Sequence, residues 1–308
     1  MNIQNAFILL KKNKLKITIL FIIITSFASI IVLFSSFIYI KSNAKKINLN
    51  LKDKLEKIRK ENLMKIQKKL KLNNLKPEFY LIIDDVGYDE FMLNEFIKIN
   101  LNINFSIIPF LPKSMDFYNK LTSKNKITMI HFPMQSKYNN SIEKFHININ
   151  DNESEIRRKI EKTFKTYPNA KIMNNHMGSL ITSNENIMKT ILIKLKEENK
   201  YFFDSLTTKE SISEKTGKDI GIIVEQRDIF LDNKDNEQAV MKALESAKQI
   251  ARTKGVVKVI GHIWSKNTLK ILKQESENLN KEFEFKNLIY LYQREKNNES
   301  TWNRKFVR

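Results

Sequence analysis

The stretch Phe79-Tyr80-Leu81-Ile82-Ile83-Asp84-Asp85-Val86-Gly87 sets an unbroken apolar run against two adjacent carboxylates. The apolar run is a strand candidate, and the carboxylates stand at its end. Two ionised aspartates side by side repel each other unless something positive binds there, and a divalent cation would resolve the conflict. The arrangement recurs downstream. His131 ends Ile127-Thr128-Met129-Ile130, His176 follows Lys171-Ile172-Met173, Asp204 ends Tyr201-Phe202-Phe203, and His262 follows the run from Val256 to Gly261. Three of the four histidines therefore sit where a strand stops. His146, in Phe145-His146-Ile147, has no such position. Helix capping explains one of the paired aspartates, because Asp is a preferred N-cap, but it leaves the second without a reason. Asp204 reads equally well as the cap of a helix begun near Thr207, and Arg227-Asp228 as a buried structural pair.

Outward from these strand ends the chain alternates. Apolar strand candidates are 79–83, 103–108, 127–130, 171–173, 201–203, 221–224, 256–260 and 286–291. Helical stretches at 89–99, 114–123, 153–166, 185–199, 235–254 and 266–277 separate them. Gly255 falls where the longest of these helices needs a left-handed cap. Repeated strand–helix units imply an α/β fold with a parallel sheet over 77–292, and their number suits a barrel better than a small open sheet. In such a barrel functional groups gather at the C-terminal ends of the strands, where Asp84, Asp85, His131, His176, Asp204 and His262 all lie. An open doubly wound sheet places its site in the same way and is the alternative.

Ahead of this domain, residues 17–40 form an uncharged apolar run of 24 residues. About 20 suffice to span a bilayer as a helix, so an uncleaved single-pass anchor is expected, with 1–16 cytoplasmic and the later domain outside. Residues 41–76 mix Lys and Glu with Leu51, Leu55, Ile58, Leu63, Ile66 and Leu70, which predicts a basic helical stalk that could carry an oligomer. A polar tail is expected at 293–308. The net charge is +20, but residues 1–76 hold 17 Lys+Arg against 3 Asp+Glu, leaving 37 against 31 elsewhere. Charge concentrated in the anchor and stalk argues against a nucleic-acid partner for the folded domain. Cysteine is absent, which excludes disulfides and thiolate zinc sites, so any metal must be held by His and carboxylate. Neither a glycine-rich phosphate loop nor a Gly-x-Ser-x-Gly elbow is present, which disfavours nucleotide enzymes and serine hydrolases.

At the strand-end positions the sequence resembles the divergent polysaccharide deacetylases, a branch of the carbohydrate esterases. The residues that carry the resemblance are Ile82-Ile83-Asp84-Asp85-Val86-Gly87-Tyr88, His131-Phe132-Pro133-Met134, Met173-Asn174-Asn175-His176-Met177-Gly178-Ser179, Phe203-Asp204-Ser205-Leu206-Thr207-Thr208, Arg227-Asp228-Ile229-Phe230-Leu231-Asp232-Asn233 and Gly261-His262. The resemblance implies a distorted (β/α) barrel of about seven parallel strands, with a divalent metal, zinc by family habit, on Asp85, His131 and His176, and Asp84 as general base. It implies hydrolysis of acetyl groups from an N-acetylated envelope polysaccharide or peptidoglycan fragment. His262 would protonate the departing amine, Asp204 or Asp228 would orient an imidazole, and Arg227 would clamp substrate or pair with Asp228. Three N/O ligands leave a position for water, as catalytic zinc requires. Two departures stand out. The wider superfamily supplies both histidines from one His-x-x-x-His motif, whereas His131 and His176 must converge from different strands. The family's Pro after Gly-His is replaced by Ile263-Trp264. A non-catalytic relative that binds a glycan or envelope protein through the same pocket is the rival reading.

Overall fold

The computed structural model describes residues 75–138 and 143–294, with 41, 52, 54–62 and 64–65 ahead of them. The chain divides into two compact units, Met1–Lys65 and Ile66–Arg308. In the first unit residues 54–62 are helical, and Leu55 and Ile58 are exposed. The structure corrects the expectation of a single-pass anchor. Among the described residues no helix is long and apolar enough to cross a membrane, so an anchored, extracytoplasmic placement is not supported. Residues 17–40 and most of the expected stalk and tail lie outside the described residues.

The second unit runs β1 (Glu78–Val86), α1 (Glu90–Ile97), β2 (Ile103–Ile107), α2 (Ser114–Ser123), β3 (Ile127–Met134), α3 (Glu153–Thr166), β4 (Ile172–Met177), α4 (Glu185–Glu197) and β5 (Tyr201–Asp204). It continues through α5 (Ser213–Asp219), β6 (Val224–Gln226), β7 (Ile229–Phe230), α6 (Glu237–Lys254), β8 (Val256–His262), α7 (Lys266–Glu282) and β9 (Glu284–Phe285). Side-chain caps start many of the helices just past a strand end or loop. Asp89, Asn152, Asn184, Asn236 and Ser265 each accept a backbone N–H of the first turn, and Asn152 forms a full capping box with Glu155. Gly255 closes α6 at φ 78°, a left-handed conformation that costs glycine little.

Every recorded ladder between these strands is parallel, in the order β6-β5-β4-β3-β2-β1-β8-β7, with β9 also against β1. From β5 to β1 the order simply counts down, without the reversal that defines a doubly wound sheet, so that alternative is excluded. The sheet curls into a half-barrel. Its two edge strands follow one another in sequence, joined by Arg227 and Asp228. Across that seam Arg227 N–H bonds the Asp204 carbonyl of β5 while Asp228 N–H bonds the Lys258 carbonyl of β8.

Alternation along each strand sorts the core into two layers. Phe79, Leu81 and Ile83 of β1 face the helices, together with Phe105, Met173 and Phe202. Tyr80 and Ile82 face the interior, with Met129, Ile172, Phe203 and Ile260. Leu288, Leu291 and Tyr292 pack into that interior layer, and the Tyr292 hydroxyl bonds the Phe202 carbonyl at 2.6 Å. Two local expectations change. Residues 286–291 are not a strand, since β9 stops at Phe285 and the chain is helical from 289. Helix α5, unforeseen, follows the turn that Asp204 organises.

Candidate functional site

The interior positions that follow the apolar layer are polar. Asp84 continues the Tyr80–Ile82 face of β1, and the ladder sets it beside His262 of β8. On β3 and β4 the register pairs His131 with Asn174 and Pro133 with His176. Asp85 leaves β1 with φ 63°, a left-handed conformation that costs a non-glycine residue about 1–3 kcal/mol. That kink swings its carboxylate over the barrel mouth instead of outward to the helices.

Three side chains meet there. Asp85 Oδ1 lies 2.9 Å from His176 Nδ1 and 3.2 Å from His131 Nε2, and one ligand atom from each residue falls within 4.8 Å of the other two. The two rings meet edge to face at 4.9 Å. Asp85 Oδ1 is buried and has no hydrogen-bond partner of good geometry. Lone pairs converging on a point, with an orphaned buried oxygen among them, are what a divalent cation satisfies. The donor set therefore fits the metal that the sequence implied.

Electrostatics separate the paired aspartates. Burial opposes ionisation of Asp85, but the imidazoles of His131 and His176 outweigh it and hold the carboxyl well below its usual range. Burial raises Asp84 and the neighbouring Asp85 charge adds to it, while His131, His262 and the Asn174 amide only partly offset the rise. Burial likewise opposes charge on His131, yet Asp84 and Asp85 prevail and raise it. One carboxylate is thus a committed anion and its neighbour a group able to take a proton.

His262 stands apart from the cluster on β8. Its Nδ1 bonds Asp232 Oδ1 at 2.7 Å, and Asp232 Oδ2 accepts the His262 backbone N–H at 2.8 Å and the Thr268 hydroxyl at 2.9 Å. Phe230 and Trp264 both stack on the ring. Burial pushes the imidazole down, but the Asp232 contact, with Asp85 and Asp84 behind it, raises it to about 9.

The remaining expected residues do not join the cluster. Asp204 lies on the helix-facing side of β5, one residue out of phase with the interior, and accepts from the Leu206 N–H and the Ser211 and Ser213 hydroxyls. It shapes the loop before α5, so the imidazole-orienting role expected of it is corrected: Asp232 holds His262. Asp228 accepts the Lys258 N–H and pairs with Lys254. Arg227 spends its guanidinium on the Ser205 and Leu206 carbonyls at 2.8 and 3.0 Å and lies 3.6 Å over the Phe230 ring. These bonds brace the seam between β5 and β7.

Sequence reasoning assigned no role to four residues that the structure brings in. Asp232 and Asn174 stood inside the quoted motifs. Trp264 donates its indole N–H to Asp85 Oδ2 at 2.9 Å. Glu143 Oε2, buried without a hydrogen bond, lies 3.6 Å from His176 Nε2, and Tyr88 donates to the other oxygen at 3.0 Å. Nothing local in the sequence marks Glu143.

The chain is similar to several known proteins. The uncharacterized protein YibQ of Escherichia coli is 30% identical over 199 residues, 65% of this chain and 62% of that protein. The chain thus matches less than two thirds of that relative's length. An uncharacterized protein of Haemophilus influenzae is 28% identical over 216 residues, 70% of this chain and 77% of that one. The crystal structure of an uncharacterized protein from Agrobacterium tumefaciens superposes with a TM-score of 0.62 at 11% identity, covering 67% of this chain and 84% of that one, which shows a shared fold. Residues 81–289, more than half of the chain and all of the site, match one family pattern, and the chain belongs to the divergent polysaccharide deacetylase family.

Proposed function

We propose that the chain is a metal-dependent hydrolase that removes acetyl groups from an N-acetylated polysaccharide, such as a peptidoglycan fragment. The observation that carries the reading is the convergence of Asp85, His131 and His176 around one point, beside a protonatable Asp84. Those three residues would hold the cation, with zinc the expected ion. A bound divalent cation supplies an acidified water and polarises the acyl oxygen. The protein groups do the rest. Asp84, held by the Asn174 amide at 3.0 and 3.1 Å, takes the proton released as water attacks the amide carbon. His262, charged and fixed by Asp232, gives a proton to the sugar nitrogen as the carbon–nitrogen bond breaks. The products are acetate and a free amine. Trp264 is half exposed beside the triad and offers an indole face to a sugar ring.

The full-length protein should bind about one equivalent of zinc, release acetate from chito-oligosaccharides or peptidoglycan fragments, and lose both in Asp85→Asn and His176→Ala. Asp84→Asn should keep the metal and lose turnover. Glycan binding without acetate release from the zinc-loaded protein would overturn the catalytic reading, as would metal uptake indifferent to Asp85 and His176.

A further inference from the structure

Asn174 sits two residues before His176 on β4, on the same interior face, and is fully buried. A primary amide has two N–H donors and a carbonyl oxygen with two lone pairs. Both sides are occupied here. Nδ2 donates to both Asp84 oxygens at 3.0 and 3.1 Å and to Ser205 Oγ at 3.0 Å. Oδ1 accepts the Ser106 hydroxyl at 2.5 Å and lies 3.1 Å from His131 Nδ1. The amide cannot be turned around, because its oxygen would then face a carboxylate, acceptor against acceptor. The atom that faces His131 is therefore an acceptor, and Nδ1 of the neutral ring must carry the hydrogen. Nε2, 3.2 Å from Asp85 Oδ1, is left with its lone pair directed at the cluster.

We propose that Asn174 is a positioning residue that sets the metal half and the proton-transfer half of the site together. It selects the Nδ1–H tautomer of His131, so that Nε2 is the coordinating atom, and it holds the Asp84 carboxylate beside that atom. The donors and acceptor of an amide share one rigid plane, so Asp84 and His131 cannot reorient independently while both bonds persist. Ser106 and Ser205 hold the two edges of the plane. The inference deepens the deacetylase reading, on which its catalytic half rests, but the tautomer is a property of the chain alone.

Long-range 1H–15N correlation on histidine-labelled full-length protein, stripped of metal and held at alkaline pH, reads the tautomer directly, with His131→Gln for assignment. The expected pattern for His131 is N–H at Nδ1 and a bare Nε2. Asn174→Ala should mix the tautomers and weaken zinc binding about 10–100-fold, the usual effect of removing a partner that orients a metal-bound histidine. Asn174→Asp keeps an acceptor for His131 but loses the donors to Asp84. It should retain the Nδ1–H signal while kcat falls with little change in KM. A purely structural amide would lower thermal stability without moving the nitrogen shifts. An Nε2–H ring in the wild-type protein overturns the proposal without any variant having to fold. So does a natively folded Asn174→Ala protein that binds zinc within about twofold of wild type, against the loss expected for such partners. Failure to release acetate overturns the deacetylase reading and leaves the tautomer result standing, so the two failures are distinguishable.

Discussion

Replacing Asp232 by Asn removes the charge that holds His262 protonated while keeping the shape of the side chain. The imidazole stands at about 9 against an ordinary 6.5, which at 1.36 kcal/mol per unit is about 3 kcal/mol of preference for the charged ring. Burial works against that charge, and the Asp232 contact at 2.7 Å is the first influence opposing it. Without Asp232 the midpoint should fall to about 6.5 or below, so at pH 7.5 the protonated fraction drops from about 97% to roughly 9% or less. A reaction that needs His262 as its acid should then slow at least about tenfold at that pH and recover toward acid pH. The linkage has a definite sign. A raised pKa contributes stability that is fully present below about 6.5 and is lost as pH rises through about 9. The stability advantage of wild type over the variant should therefore be largest near pH 6 and shrink by pH 10. The assay is an NMR titration of the metal-free chain, with only four histidines to resolve and His262→Gln as the assignment control. A wild-type midpoint near 6.5, or a variant midpoint within about half a unit of wild type, would refute the reasoning.

Two further expectations are simpler. The chain holds two tryptophans, so in a Trp302→Phe background the Trp264 indole, bonded to Asp85 Oδ2, should report zinc binding as a change in emission. Unchanged fluorescence at confirmed saturation would count against that bond. Asp204→Ala should cost about 1–3 kcal/mol in urea unfolding, because it strips acceptors from two hydroxyls and an N–H. It should leave zinc stoichiometry intact, and loss of the metal without loss of stability would place Asp204 in the site after all.

The strand-end signal was legible because it is local. An apolar run that stops at Asp84-Asp85, at His131 or at His262 shows in a few residues, and helices 114–123 and 153–166 keep the bounds read from the sequence, the second opened by the Asn152 capping box. Residue parity was harder to read. Asp204 and Ser205 are neighbours, yet only Ser205 reaches the Asn174 amide, because alternate residues of a strand face opposite sides. Nothing before the sheet formed could decide which of the two pointed inward.

The sequence by itself determined the parallel α/β architecture, the ligand types available to a cysteine-free chain, and the positions where chemistry could collect. Tertiary structure alone decided the partnerships. The two-residue strand β7 aligns Ile229 with Val259 and Phe230 with Ile260, and that register carries Asp232 to His262 across 30 positions of sequence. The left-handed turn at Asp85 and the approach of Glu143 to His176 arise in the same way, from segments meeting only after the sheet has curled. Hydrophobic pattern specifies which face of an element is buried; contacts between distant segments depend on register and closure, which belong to the assembled barrel and to no single stretch of the chain.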